Sequence, residues 1–296
     1  MQSMLDMKVT GFTFVRNAIR FDYPVEASIR SLLPLVDELV VCLGNSDDDT
    51  EALIRSIGDS KIRIIHSTWD DSLRQGGQVL AIETNKALDA VSADADWCIY
   101  LQADEVIHES DYAAIRQSMF QHLGDVQTEG LLFDYLHFYG GYAYVGTSRR
   151  WYRHEVRIVR NNPNIRSFRD AQGFRIANRK LKVRKAKGRI FHYGWVKNPL
   201  KQVEKLQQFH KLWHDDATAL KKSGIDPYDY LKEVDVLSLY SGTHPTSMLN
   251  RVEMQDWSFE YDTKMKKMRL KDQVLYWFER LTGQRLFEYK NYTLLS

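Results

Sequence analysis

"DWCIYLQADEV", residues 96 to 106, is the stretch that decides the fold. An unbroken apolar run over 97–101 ends in a polar string that holds Gln102, Asp104 and Glu105. A continuous apolar run of this length is typical of a strand that is buried on both faces. The two carboxylates therefore mark the point at which a buried strand meets solvent.

The residues before this strand alternate short apolar runs with stretches of helical spacing. The apolar runs are KVTGFTFV, DELVVCLG and KIRIIHS, and the helical stretches include TEALIRSIG and GGQVLAIETNKALDAV. Strands that alternate with helices predict a parallel sheet with crossover connections. Asp104 then lies at the carboxyl end of a central strand, which is the edge where open α/β sheets bind ligands.

The chain changes character after Asp104. Residues 131–161 are rich in aromatic and β-branched side chains and contain three glycines, which predicts antiparallel strands and loops. Helical spacing returns from residue 199 onward. We predict an α/β fold with a mostly parallel sheet flanked by helices over residues 1–198, and a mainly helical C-terminal lobe over 199–296.

Composition limits the kinds of partner. The 296 residues include 41 basic and 39 acidic side chains, for a net charge of +2, so the overall charge does not favour nucleic acid as a partner. Cys42 and Cys98 lie in apolar runs without metal-ligand spacing, as is typical of reduced core residues in a cytoplasmic protein. The chain begins without a signal-peptide pattern, and no apolar run approaches the ~20 residues of a spanning helix. We expect a soluble, cytoplasmic protein.

Four segments occur in an order and at spacings that match a known family. They are KVTGFTFVRN, VDELVVCLGNSDDDTEALI, ADADWCIYLQADEVIHE and RIFHYGWV. Together they resemble the family 2 glycosyltransferases of GT-A fold, whose sheet is Rossmann-like, over roughly residues 8 to 200. The resemblance implies a nucleotide-sugar donor, a saccharide or lipid-linked acceptor, and a role in surface polysaccharide or glycoconjugate synthesis.

The resemblance also implies which residues contact the donor. The first strand ends at Arg16 and Asn17, and the second ends in an acidic loop that contains Asp47 and Asp48. That loop is equally suited to cap the helix that follows it. Arg179 begins a basic run and is a candidate clamp for the donor phosphates, although the alternation of apolar and basic residues there also predicts a strand with one solvated face.

In the family, an Asp-x-Asp string holds a divalent ion, Mn or Mg, that stabilises the leaving diphosphate. Here Gln102 replaces the first acid, so an uncharged amide stands in place of a carboxylate. We therefore assign the metal to Asp104 and His192, and a sugar or phosphate contact to Gln102. The missing acid also supports an alternative, a non-catalytic module that binds a nucleotide sugar. A nucleotidyltransferase fits less well, because no glycine-rich phosphate loop follows the first strand.

An inverting transfer needs a general base for the acceptor hydroxyl. The resemblance places this base on the loop before the last sheet element, where Asp170 stands in IRSFRDAQGFRI. Its rival is Glu155, which begins an alternating run typical of a strand. The alternative role for Asp170 is a salt bridge with Arg166 or Arg169.

The C-terminal stretch KMKKMRLKDQVLYWFERL, residues 264–281, places basic residues beside large apolar ones. This pattern fits a helix that lies on an anionic bilayer. It also fits a packed amphipathic helix, because Asp272 and Glu279 interrupt the basic face. The first interpretation predicts peripheral contact with the inner face of the membrane, and the second predicts none.

Overall fold

The computed structural model describes residues 4, 6–73, 76–213, 234, 236–264, 268 and 270–295. Part of the predicted C-terminal lobe, including residues 214–233, therefore lies outside the described residues. Within the described chain, 13 strands form a sheet system that carries helices on both faces.

The first part of the sheet is parallel. Its strands, in spatial order, are β3 (Ile62–Ser67), β2 (Glu38–Gly44), β1 (Val9–Val15) and β4 (Trp97–Tyr100). The connecting helices are α1 (Val25–Leu32), a 3-10 turn at Leu33–Leu35, α2 (Thr50–Ser56) and α3 (Gln78–Asp89). The strands β1, β2 and β4 are almost wholly buried, because α1 packs on one face of the sheet and α3 on the other. Burial on both faces explains their continuous apolar runs.

The second part of the sheet is mostly antiparallel. Its elements, in chain order, are β5 (Glu105–Ile107), a 3-10 turn at Glu109–Asp111, α4 (Tyr112–Gln121), β6 (Gly130–Tyr139), β7 (Gly141–Gly146), β8 (His154–Arg160), β9 (Ile165–Phe168), β10 (Gly173–Ile176) and β11 (Arg179–Trp195). Strand β8 joins the two parts, since it pairs antiparallel with both β4 and β6. The basic run lies on β11, whose residues alternate between exposed and buried, so the predicted strand with one solvated face is confirmed.

The chain beyond residue 198 is helical but also returns to the sheet. Its described elements are α5 (Pro199–Trp213), β12 (Leu237–Leu239), a 3-10 turn at Thr246–Met248, α6 (Leu249–Glu253), α7 (Leu270–Thr282) and β13 (Tyr292–Leu294). Strand β12 pairs with β7, and β13 pairs with β11. The division at residues 198 and 199 remains a prediction.

The predicted α/β class is confirmed: strands β3, β2, β1 and β4 form a parallel sheet that carries helices on both faces. Cys42 and Cys98 are buried in the core as free thiols. Among the described residues, every helix is too short or too polar to cross a bilayer.

Candidate functional site

A cavity of about 430 Å³ opens at the edge of the sheet where β1 and β4 end. Six residues that the sequence predicts for the site line it: Arg16, Asn17, Gln102, Asp104, Asp170 and His192. Further lining residues include Trp69, Tyr152, Gln172 and Lys205. The cavity thus lies at the carboxyl edge of the parallel strands, where open α/β sheets bind ligands.

A tight turn after β4 places Asp104 beside β11. The backbone N–H of Glu105 donates to the carbonyl of Gln102 at 3.0 Å, and β5 then pairs antiparallel with β11, with Glu105 opposite His192. The approach to β11 is close, since a Cβ on Gly194 would lie only 2.6 Å from Oδ2 of Asp104. Glycine at position 194 therefore makes room for the carboxylate.

Asp104 is a buried carboxylate with basic side chains around it. Its Oδ1 lies 3.8 Å from Nε2 of His192, and its Oδ2 lies 3.4 Å from Nζ of Lys205. Lys205 also donates to the carbonyl of Gly194 at 2.9 Å. Burial alone would raise the pKa of Asp104, but the basic groups around it, first among them Lys205, together hold the pKa below its ordinary value. Asp104 is therefore ionised at neutral pH.

The hydrogen bonds of His192 determine which of its nitrogens faces Asp104. Nε2 of His137 lies 2.8 Å from the carbonyl of Tyr152, which can only accept, so this nitrogen carries the proton. Burial lowers the pKa of His137 to about 3, which leaves its Nδ1 as an acceptor, 3.1 Å from Nδ1 of His192. Burial also lowers the pKa of His192, despite Asp104 nearby. We assign the proton to Nδ1 of His192, so that the lone pair on Nε2 faces Asp104.

Glu105, the second acid of the opening stretch, has a structural role. It forms a bidentate pair with Arg157 at 2.8 Å on each side, and both side chains are fully buried. Tyr135 donates to the same carboxylate at 2.8 Å, and the backbone N–H of Gln102 donates at 3.1 Å. Arg157 also donates to the carbonyl of Gln172 at 2.9 Å. The pair thus joins the turn after β4 to the loop that carries Asp170.

Asp170 lies in the loop between β9 and β10, where the backbone is unusual. The residues on either side, Arg169 and Ala171, have φ angles of 55° and 61°, in the left-handed region that non-glycine residues rarely adopt. Ala171 is completely buried, and its carbonyl accepts a hydrogen bond from Nε2 of Gln102 at 3.5 Å. The buried Ala171 fixes the loop so that Asp170 lines the cavity.

The alternative role for Asp170, a salt bridge, is not formed among the described residues. Arg166 pairs instead with Asp89 at the end of α3. The guanidinium of Arg169 lies over the ring of Phe168, 5.6 Å from its centroid. The Asp170 carboxylate is therefore available to a ligand.

A second cavity, of about 660 Å³, adjoins the first. Its lining residues are Gly76, Gln78, Phe168, Arg169, Asp170, Gln172, Tyr289 and Asn291. Asp170 and Gln172 line both cavities. A group bound in the second cavity would thus meet a group bound in the first at Asp170.

The acidic loop fastens the end of β1. Asn17, with a left-handed φ of 54°, accepts a hydrogen bond from the N–H of Asp47 at 2.9 Å. Asp48 accepts from the N–H of Thr50 at 3.1 Å and from the N–H of Arg20 at 2.8 Å. Asp47 and Asp48 do not line the cavity. Asp48 thus binds the first N–H of α2, whereas the N-cap residue Asp49 makes no side-chain capping hydrogen bond. The contact of the loop with the nucleotide stays a prediction.

Aromatic side chains form another part of the cavity wall. Trp69 and Phe14 pack with their ring centroids 5.8 Å apart, and the guanidinium of Arg16 lies 5.5 Å from the Trp69 centroid. Arg16 is held by Asp71 at 2.7 Å. The buried Nε1 of Trp69 has no hydrogen-bond partner among the described residues. A flat aromatic surface of this kind is suited to stack against a nucleobase.

Besides Asp47 and Asp48, two more residues predicted from the sequence are not brought to the cavity wall. Arg179 pairs with Glu129 at 2.8 Å on the far part of β11. Glu155 is buried behind the wall, where its Oε1 accepts from Gln172 at 2.9 Å and its Oε2 has no partner among the described residues. Their predicted functional roles remain untested.

Glu155 makes a testable contribution to stability. Burial, only partly offset by Arg157, raises its pKa from 4.5 to about 7. A raised pKa favours the folded protein fully at low pH, and that advantage is lost as the pH rises from about 4.5 to 7. We therefore compare the free energy of unfolding of Glu155→Gln with that of the parent protein. We expect the difference, variant minus parent, to be larger at pH 8 than at pH 4 by roughly 3 kcal/mol.

Urea unfolding of both proteins across this pH range measures the effect. Glu26→Gln, at a partly exposed position on α1 where the carboxylate pairs with Arg30, controls for the loss of one carboxylate. A difference between Glu155→Gln and the parent protein that stays constant with pH would show that Glu155 is not buried as a neutral acid.

Two cavity residues escaped the sequence prediction. Trp69 follows β3 and so stands at the same carboxyl edge as Asn17 and Asp104, a position that could have identified it. Lys205 comes from α5, outside the segments that carry the resemblance. No local pattern in the sequence connects it to Asp104.

No known family model matches the chain, and no curated protein matches it. Solved structures show partial likenesses. Glucosyl-3-phosphoglycerate synthase from Mycobacterium tuberculosis, in complex with Mn²⁺, uridine diphosphate and phosphoglyceric acid, is 18% identical, with a TM-score of 0.32, over 46% of this chain and 47% of that one. Mannosyl-3-phosphoglycerate synthase from Rubrobacter xylanophilus is 18% identical, with a TM-score of 0.31, over 46% of this chain and 43% of that one.

A third likeness is to a synthase whose name does not refer to a glycosyl phosphoglycerate. The 4-diphosphocytidyl-2C-methyl-D-erythritol synthase from Anaerococcus prevotii is 12% identical, with a TM-score of 0.31, over 54% of this chain and 74% of that one. The chain spans less than half the length of the other two synthases. Likenesses of this extent do not establish a shared activity.

Proposed function

We propose that this chain is a glycosyltransferase that moves a sugar from a nucleotide-diphosphate donor to a hydroxyl of a saccharide or lipid-linked acceptor, with inversion. One observation carries the proposal. An ionised carboxylate, a neutral imidazole and an ammonium group meet in one cavity, and a second carboxylate, Asp170, lines both that cavity and its neighbour. The first group suits a leaving diphosphate, and Asp170 suits an attacking hydroxyl. We place the reaction in the cytoplasm, in the synthesis of a surface polysaccharide or glycoconjugate.

The divalent ion implied by the resemblance fits two ligands. Oδ1 of Asp104 and the lone pair on Nε2 of His192 lie 3.8 Å apart. A carboxylate oxygen suits Mn²⁺ and Mg²⁺ equally, and an imidazole nitrogen favours Mn²⁺. No cluster of three or more His, Cys, Asp or Glu side chains occurs within the described ranges, so diphosphate oxygens and water would complete the coordination. When bound, the ion would offset the charge that develops on the leaving diphosphate.

Lys205 supplies positive charge from the protein itself. Two of its three donor hydrogens have partners, Oδ2 of Asp104 at 3.4 Å and the carbonyl of Gly194 at 2.9 Å. The third is available to a phosphate oxygen. The contact also fixes the Asp104 carboxylate so that its Oδ1 stays directed toward His192.

The remaining contacts divide between donor and acceptor. We assign the nucleobase to the surface formed by Trp69 and Phe14, with Arg16 beside it. We assign the acceptor to the second cavity, where Phe168 and Tyr289 offer apolar faces against which a sugar ring packs. The oxygen of the acceptor hydroxyl attacks the anomeric carbon as the bond to the diphosphate breaks. Asp170 accepts the proton of that hydroxyl.

Isothermal titration against UDP-, GDP-, CMP- and dTDP-sugars, with and without Mn²⁺, tests the proposal. We expect one nucleotide sugar to bind, more tightly with Mn²⁺, and to be transferred or slowly hydrolysed. Arg30→Gln, an exposed change outside the cavity, should leave binding unaltered. Binding without any turnover would instead support the non-catalytic module, and binding to none of the donors would contradict both.

A further inference from the structure

Helix α7 turns its apolar face to solvent. Leu270, Val274, Trp277 and Leu281 follow helical spacing, and their exposed fractions are 81%, 69%, 54% and 82%. No described residue of α7 is buried. An ordinary surface helix places such a stripe against the core, so α7 has the reverse orientation.

Polar contacts hold α7 in this orientation. Glu279 pairs with Arg149 at 3.0 Å, with Arg285 at 3.3 Å and with Arg153 at 3.5 Å. Arg285 is itself nearly buried. The helix is therefore attached to the body through its charged side, which leaves the apolar stripe outward.

The loop after α7 also exposes aromatic side chains. Phe287 is 89% exposed and Tyr289 is 69% exposed. The loop is fixed by Glu288, which forms a bidentate pair with Arg153 at 2.9 and 2.8 Å. Since Arg153 also pairs with Glu279, one arginine cluster supports both the helix and the loop. We call α7 together with residues 286–289 the apolar platform.

The sequence that leads into the apolar platform is strongly basic. Residues 264–271, KMKKMRLK, contain five basic and no acidic side chains. Exposed apolar residues that follow such a basic stretch in the sequence match the surface of an anionic bilayer, which attracts the charges and receives the apolar side chains. A second copy of this chain would instead present a surface with the same basic segment and so offers it no opposite charge.

We propose that the apolar platform binds anionic lipid bilayers. Tyr289 belongs both to the platform and to the wall of the second cavity, so that cavity opens at the edge of the bound surface. If the acceptor occupies that cavity, as proposed above, a lipid-linked acceptor could enter it from the bilayer. The lipid binding itself does not depend on the proposed function.

Flotation of the full chain with vesicles tests the platform. We expect binding to vesicles of phosphatidylcholine and phosphatidylglycerol, weak binding to phosphatidylcholine alone, and release at high salt. The combined variant Leu270→Ser, Leu281→Ser and Phe287→Ser should lower the partition coefficient by about tenfold or more. Val126→Ser with Leu200→Ser, at positions 88% and 68% exposed outside the platform, should not.

Equal vesicle binding by the platform variant and the parent chain would overturn the proposal. So would concentration-dependent dimerisation in light scattering that the platform variant abolishes, without vesicle binding, since a second copy would then be the occupant. Donor binding by calorimetry is measured on the same variants. It separates failure of the platform from failure of the proposed activity, because the substituted residues lie outside the donor cavity.

Discussion

Replacing Asp104 with asparagine is expected to lower kcat for sugar transfer by about 10²–10³-fold, the usual effect of removing one preorganised group that faces developing charge. The change keeps the shape of the side chain but removes the charge that holds Lys205 and that would, with His192, bind the proposed ion. Donor binding should lose its dependence on Mn²⁺ for the same reason. Steady-state kinetics and calorimetry with the donor identified by titration measure the two effects.

The control for this variant is Asp94→Asn, which removes one carboxylate from an exposed loop before β4. It should match the parent in rate and in metal dependence. Thermal unfolding of Asp104→Asn verifies that the protein still folds. If the folded variant keeps the parent rate, Asp104 does not act on the leaving group. The assignment of the ion to Asp104 is then wrong as well.

The parallel part of the fold could be predicted because its signals are local. Strands β1, β2 and β4 are buried on both faces, so each appears in the sequence as an apolar run. The helices between them show apolar residues at helical spacing. The antiparallel part depends on pairings between distant segments, such as β6 with β11. Nothing within either strand specifies its partner, so the sequence predicted strands there but not their order.

The site divides in the same way. Asp104 and Asn17 could be predicted because both end parallel strands, which finish at one edge of the sheet. The two acids of the opening stretch look alike in sequence, yet Glu105 is neutralised by Arg157, 52 residues later in the chain. Lys205 reaches Asp104 from a helix 101 residues away. Contacts of this kind arise from tertiary packing, which residue spacing does not encode.

Replacing Asp170 with asparagine is expected to lower kcat by about 10²–10⁴-fold, the range that a general base contributes. The amide fits the same loop, whose conformation depends on the backbone of Arg169 and Ala171, but it cannot take the hydroxyl proton. Donor affinity should be unchanged, because we assign the diphosphate contacts to the group formed by Asp104, His192 and Lys205. Single-turnover rates and donor titrations measure the two quantities separately.

Two further variants decide what a loss of rate in Asp170→Asn means. Asp89→Asn removes the partner of Arg166 on the neighbouring strand and should leave the rate close to that of the parent, because it disturbs the outer side of the hairpin but not the cavity.

Glu155→Gln tests the rival base. If it abolishes transfer while Asp170→Asn retains it, the base is Glu155, acting from behind the wall through Gln172. Because Asp170 lines both cavities and Glu155 lines neither, we expect the opposite result.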